Sequence, residues 1–98
     1  MELTSKQRAK LRSLAQNIEV TASFGKGELT DEQITMIDQL LTKRELIKAT
    51  VLETSPYEAS ELLAILAEKC DAVPVTAIGR KLVLYRRNKK EPKIILWK

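Results

Sequence analysis

The stretch VPVTAIGRKLVLYR, residues 73–86, decides the architecture. Two runs rich in β-branched and aliphatic residues, Val73–Ile78 and Lys81–Arg86, are separated by Gly79 and Arg80, so they read as two strands of an antiparallel hairpin. Pro74 lacks the N–H that a central strand needs and predicts that the first of the pair lies at an edge or begins there. Everything upstream alternates between helix and strand, and strands joined through helices require parallel pairing. The expected order is therefore α-β-α-β-α-β-β: a four-stranded mixed sheet with three helices in an α/β sandwich, one domain spanning residues 1–98, with 87–98 a basic C-terminal extension.

Working back from the hairpin, Ala59, Leu62, Leu63, Leu66 and Cys70 recur at helical spacing. In front of them SPYE suggests a start with Ser55 as N-cap, Pro56 in the first helical position and Glu58 closing a capping box. ELIKATVLE alternates loosely and predicts a strand over 46–52. A second helix begins at Thr30, with Gln33 as its capping-box partner, Leu29 and Ile34 as a staple, and Ile34, Ile37, Leu40 and Leu41 facing inward. Val20 to Phe24 reads as a short strand. A first helix is expected over 5–17, capped by Thr4 or Ser5, with Leu11, Leu14, Ala15 and Ile18 on one face and Lys6, Arg8, Lys10 and Arg12 off it. Past the hairpin, RNKKEPK reads as a loose basic segment, and IILW (94–97) as a short piece returning to the body.

With 98 residues, 44% of them hydrophobic and 31% charged, the chain has enough apolar material for one core and is unlike a disordered sequence. There is one cysteine and no histidine, which excludes an internal disulfide, a Cys/His zinc site and any histidine-based triad; no cofactor or metal is expected. Cys70 falls in a helical apolar stripe and reads as a packed thiol. No run is long or apolar enough for a membrane span, and the first ten residues, MELTSKQRAK, turn charged too soon for a signal-peptide core, so a cytoplasmic protein without membrane partners is expected. The net charge of +4 is unevenly placed: residues 1–18 sum to +3, residues 79–98 to +7 and the middle, by difference, to −6. If the fold gathers both ends on one side, the molecule is bipolar with one face suited to a polyanion.

FGKGELTDEQ, residues 24–33, places two glycines and Lys26 before the second helix. Such a loop can bring backbone N–H groups and a helix N-terminus up to a phosphate, and it can equally be a tight β-to-α turn. It lacks the lysine and Ser/Thr that follow the last glycine of a P-loop, and the G-x-G-x-x-G of a dinucleotide fingerprint. With Phe24, Tyr57, Tyr85 and Trp97 as its aromatics, the chain also lacks the stacking platform of an RRM. What remains for the loop is a clamp on a nucleic-acid backbone, of the kind a KH domain uses, or a turn.

LTSKQRAKLRSLAQNI (3–18), FGKGELTDEQI (24–34), RELIKATVL (44–52) and AIGRKLVLYRRN (77–88), in that order, resemble the bacterial YhbY/YqeI proteins, stand-alone members of the CRM (chloroplast RNA splicing and ribosome maturation) domain family. The most specific pieces are RELIK and IG..LVLYR. The resemblance implies an RNA-binding domain similar in fold to the C-terminal domain of translation initiation factor 3, associated with ribosomal RNA of large-subunit precursors. It also implies a KH-like GxxG loop, here Gly25, Lys26, Gly27 and Glu28, with glutamate standing where the family has its second glycine.

The expected RNA contacts are Gly25, Lys26 and Gly27 at the loop, extended by Lys6, Lys10, Arg44, Lys48, Arg86 and Arg87. Arg44 and Lys48 flank Glu45, so an internal ion pair is an alternative there, and Tyr85 is expected in the core rather than stacked on a base. A reading from another class is a protein-interaction adaptor, in which the acidic centre, with Asp31, Glu32 and Asp38, docks a basic ribosomal protein. An enzyme is the weakest reading, because the carboxylates look like helix caps and helix-surface residues.

Overall fold

The computed structural model describes residues 3–88. The elements are α1 (Ser5–Ala15), β1 (Val20–Phe24), α2 (Asp31–Arg44), β2 (Leu46–Val51), α3 (Ala59–Lys69), β3 (Val73–Ile78) and β4 (Lys81–Tyr85). They follow the expected order, and the strands form one mixed sheet in the spatial order β1-β2-β4-β3. β1 and β2 pair in parallel through the α2 crossover, while β4 lies antiparallel to both β2 and β3. Pro74 sits on edge strand β3, beside a bulge, where its missing N–H costs no ladder bond to a second neighbour.

Strand alternation sends side chains to two unlike faces. One carries Ala22, Phe24, Ile47, Ala49, Val51, Leu82 and Leu84, which pack with Ile37 and Leu41 of α2 and with Leu62, Leu63 and Leu66 of α3. The other carries Leu46, Val75, Val83 and Tyr85, packed beneath Leu11 and Ala15 of α1. The helix α1 lies across the strands: Arg8 donates to the carbonyls of Pro74 and Val75 on β3, and the Lys48 ammonium on β2 donates to the carbonyl of Ala15 at 3.2 Å. Tyr85 is fully buried, as expected, and its hydroxyl has no hydrogen-bond partner among the described residues. Burial, followed by the nearby Glu45 carboxylate, raises its pKa above the usual tyrosine value.

Three local expectations are corrected. The helix α1 stops at Ala15, where Gln16 and Asn17 turn back onto Ser13 and Leu14, and Leu14 is exposed rather than part of the packed face. The third helix starts at Ala59, not after Ser55: the Ser55 hydroxyl accepts the N–H of Tyr57 in a local turn, and Glu61 accepts the N–H of Glu58, which is the cap. The last strand ends at Tyr85, although the N–H of Arg86 continues the pairing by one bond to the carbonyl of Glu45. Cys70 is buried as expected, and burial first, then Asp38, pushes its thiol pKa up. The segment 89–98, with IILW and Trp97, lies outside the described residues.

Candidate nucleic-acid interface

The glycine loop closes β1 and opens α2, and its two glycines do different work. A Cβ on Gly25 would stand 3.3 Å from the side chain of Leu52, so close packing against the loop after β2 favours glycine there. Gly27 has φ +96° with open space around it, so its requirement is conformational. Lys26 between them is exposed, as is Glu28.

The N-terminus of α2 is not an open anion site. The Thr30 hydroxyl accepts the N–H of Gln33 at 3.2 Å, the Gln33 amide oxygen accepts the N–H of Thr30 at 3.0 Å, and Asp31 and Glu32 place two carboxylates in the first turn. A phosphate there would meet occupied donors and like charge. What this loop could still present to an anion is the Lys26 ammonium and the amides of residues 25–27.

The basic residues expected to form one face are divided by the sheet. Lys6 and Lys10 are exposed on α1, and Lys48 projects from β2 to the same side, its ammonium bound at the end of that helix. Arg44 is exposed in the last turn of α2 and lines an apolar groove with Leu14, Ile18 and Leu46. Arg86 lies on the α2/α3 side with its side chain 23% exposed, where its guanidinium binds the Asp38 carboxylate, the Asp38 carbonyl, the Thr42 hydroxyl and the Cys70 carbonyl. It pins α2, the end of α3 and the end of β4 together, so the arginine expected to meet RNA is spent on internal partners. Arg87 follows it and is exposed.

Glu45 went unread as a structural residue. It is fully buried, it caps α2 at φ 64° where glycine is usual, and its carboxylate accepts the N–H of Asn88 at 2.9 Å. An isolated E in RELIK gives no sign of this, because the partner lies 43 residues away.

Charge separates by layer. The helix α1 carries Lys6, Arg8, Lys10 and Arg12 and no acidic residue. Across the sheet, α2 and α3 together carry Asp31, Glu32, Asp38, Glu61 and Glu68 against Lys43, Arg44 and Lys69. On the α1 side a row of residues that α1 does not reach runs across all four strands: Ser23, Thr50, Lys81 and Ile78, each opposite the next. Arg80 and Lys81 were not among the expected contacts; the alternation of KLVLY puts Lys81 on the face of Val83 and Tyr85, but the strand register was needed to show that it stands exposed between Thr50 and Ile78.

Among the described residues no helix is long and apolar enough to cross a membrane. The CRS1 / YhbY (CRM) domain model matches residues 3–86. The chain is 34% identical over 94 residues to the Bacillus subtilis protein named "Probable RNA-binding protein YqeI", covering 96% of this chain and 98% of that one. It is 31% identical over 94 residues to a Haemophilus influenzae protein named "RNA-binding protein", covering 96% and 94% of the two chains. The solution structure of the hypothetical protein SAV1595 from Staphylococcus aureus superposes with a TM-score of 0.80 at 40% identity, over 97% of this chain and 99% of that one.

Proposed function

The chain belongs to the CRS1 / YhbY (CRM) domain family, and on that premise we propose that it is a non-enzymatic RNA-binding protein that holds ribosomal RNA of the large-subunit precursor through the α1 side of its sheet. The observation that carries the reading is the separation of charge by layer: an all-cationic α1 on one side of the sheet and a net acidic α2/α3 pair on the other. A polyanion is drawn to the first side and repelled from the second. Lys6 and Lys10 on α1, and Lys26 with the Gly25 and Gly27 amides at the loop, are the proposed phosphate contacts. Lys48, Arg44 and Arg87 add field around them, and Arg86 serves the fold. Names given to relatives support RNA as the ligand class.

Raising salt from about 50 to about 200 mM is expected to weaken RNA binding at least tenfold, as the release of several counterions requires. Replacing Lys6, Lys10 and Arg12 together by glutamate should abolish that salt dependence along with most of the affinity, without unfolding, since all three are exposed. A flat salt response in the parent protein would contradict the reading and favour the adaptor, with Asp31 and Glu32 exposed at the start of α2 as its docking groups. Crosslinking in cells and sequencing of the bound RNA tests the ribosomal assignment.

A further inference from the structure

The half of the sheet that α1 leaves bare has the makings of a contact surface of its own. Ser23, Thr50, Lys81 and Ile78 form one cross-strand row, and Thr76 lies one step along β3 from that row, opposite Val83. Ile78 is 72% exposed and Leu52, just past the end of β2, is 47% exposed; both are large aliphatic side chains standing in solvent. Ser23, Thr50 and Thr76 make no side-chain hydrogen bond among the described residues, so three hydroxyls stand ready with both donor and acceptor capacity. None of the row's own residues is acidic, and Lys81 supplies a cation at its centre.

Its neighbours are those of a nucleic-acid path. The Gly25–Gly27 loop leaves β1 after Phe24, one residue past Ser23, and packs on Leu52, and the N–H of Val51 bonds to the carbonyl of Arg80, so the loop, the end of β2 and the β3–β4 turn lie side by side. Arg80 in that turn holds Glu53 at 3.3 Å with both side chains more than half exposed, an ion pair that an incoming phosphate can displace at little cost.

Resting on the RNA-binding reading above, we propose that this bare half-sheet is where unpaired nucleotides sit, with Lys81, Thr50, Thr76 and Ser23 meeting sugars and base edges and Ile78 and Leu52 meeting base faces. The row spans three strand spacings, about 14 Å, the scale on which other four-stranded RNA-binding sheets seat two or three bases. Unpaired RNA is the fitting ligand because aliphatic groups reward exposed base faces and hydroxyls reward free Watson–Crick edges, both of which an A-form duplex hides in its stack and its base pairs. A duplex offers this surface phosphates and the 2′-hydroxyls and base edges of a shallow minor groove but no base faces, and then the apolar groups of the half-sheet gain nothing.

The test compares an unpaired oligouridylate of about 12 nucleotides with a duplex RNA of equal length, titrated against the parent, Ile78→Glu and Lys81→Ala. The glutamate would stand directly opposite Lys81, cancelling its charge and repelling phosphate, at a position exposed enough to leave the fold intact. The expected result is tighter binding of the unpaired strand than of the duplex, a loss of about tenfold or more in Ile78→Glu, and about threefold in Lys81→Ala with a shallower salt dependence, all at unchanged melting temperature. Equal binding of unpaired and duplex RNA overturns the proposal. So does parental affinity in both variants while the α1 charge reversal still abolishes binding, an outcome that leaves the RNA-binding reading standing. Absence of RNA binding in the parent removes both.

Discussion

The two faces of the sheet are built from the same alternating strands yet are finished differently. On the α2/α3 side two helices roof the sheet from Ile47 and Leu84 at one end to Phe24 and Val51 at the other. On the α1 side a single helix of 11 residues covers Leu46, Val75, Val83 and Tyr85 and stops there. A helix is about 10 Å wide and strands of five or six residues run about 17–20 Å, so one helix laid across them hides half their length while two laid together hide all of it. The roofed face is where the energy of folding is concentrated. The half-roofed face is where the exposed Lys6 and Lys81 stand, with the Ser23, Thr50 and Thr76 hydroxyls, which make no side-chain hydrogen bond among the described residues.

The widest gap between the faces should show at Arg86. Replacing it by alanine removes charge-assisted bonds to Asp38, Thr42 and the Cys70 carbonyl, and is expected to cost about 2 kcal/mol or more of stability while the folded protein keeps its RNA affinity. Chemical denaturation and RNA titration of the same preparation check it. A variant that stays as stable as the parent but binds RNA poorly would move the interface to the α2/α3 side and break the comparison.

Lys26→Ala should behave in the opposite sense. It lies in an exposed loop, so about 1 kcal/mol of binding is expected to go with almost no change in melting temperature. Equal binding by mutant and parent would reduce the loop to a turn. Glu28→Gly refines the same point: removing a carboxylate beside Lys26 should tighten RNA binding severalfold, and because the α2 N-terminus is already capped, the gain comes from lost repulsion rather than a newly opened helix end.

The smallest effect belongs to Tyr85. Its buried hydroxyl has no partner among the described residues, so Tyr85→Phe is expected to be neutral or to stabilise by up to about 1 kcal/mol. Its raised pKa means the folded state holds the phenolic proton after the unfolded chain has begun to lose it. Stability is therefore intact below the unfolded value near 10.0 and falls as pH rises above it, and the phenylalanine variant should lose that part of the fall in denaturation curves taken on the alkaline side. Parallel alkaline curves for the two proteins would contradict this.

Much of this was legible in residues whose signals are local. The hairpin at Gly79, the Thr30–Gln33 capping box and the stripe from Ala59 to Cys70 all appear where spacing put them. The start of α3 was misread because SPYE and the overlapping EASE both spell a box, and the choice fell to tertiary contacts: Ala59 is buried, and the Tyr57 hydroxyl accepts the N–H of Leu29 from the loop before α2. Leu14 matched the helical period, but α1 ends one residue later, which leaves Leu14 at the rim, lining the groove with Ile18 and Leu46 instead of entering the core. In the candidate site, Lys6, Lys10 and Lys26 could be read as exposed cations from their own neighbourhoods. Arg86 could not, since its carboxylate partner lies 48 residues away, and Lys81 gained its meaning from a register that sets it between Thr50 and Ile78.

The central claim is that RNA is held on the α1 side of the sheet. The most direct measurement is an amide-resolved NMR titration of the isotopically labelled protein with RNA, following each backbone signal to saturation. The account predicts that the shifts gather on α1, on Ser23 through Gly27, and on Thr50, Thr76, Ile78 and Lys81, with the exposed turns of α2 and α3 unmoved. Shifts gathered on the exposed faces of α2 and α3, with α1 and the bare half-sheet silent, would contradict it.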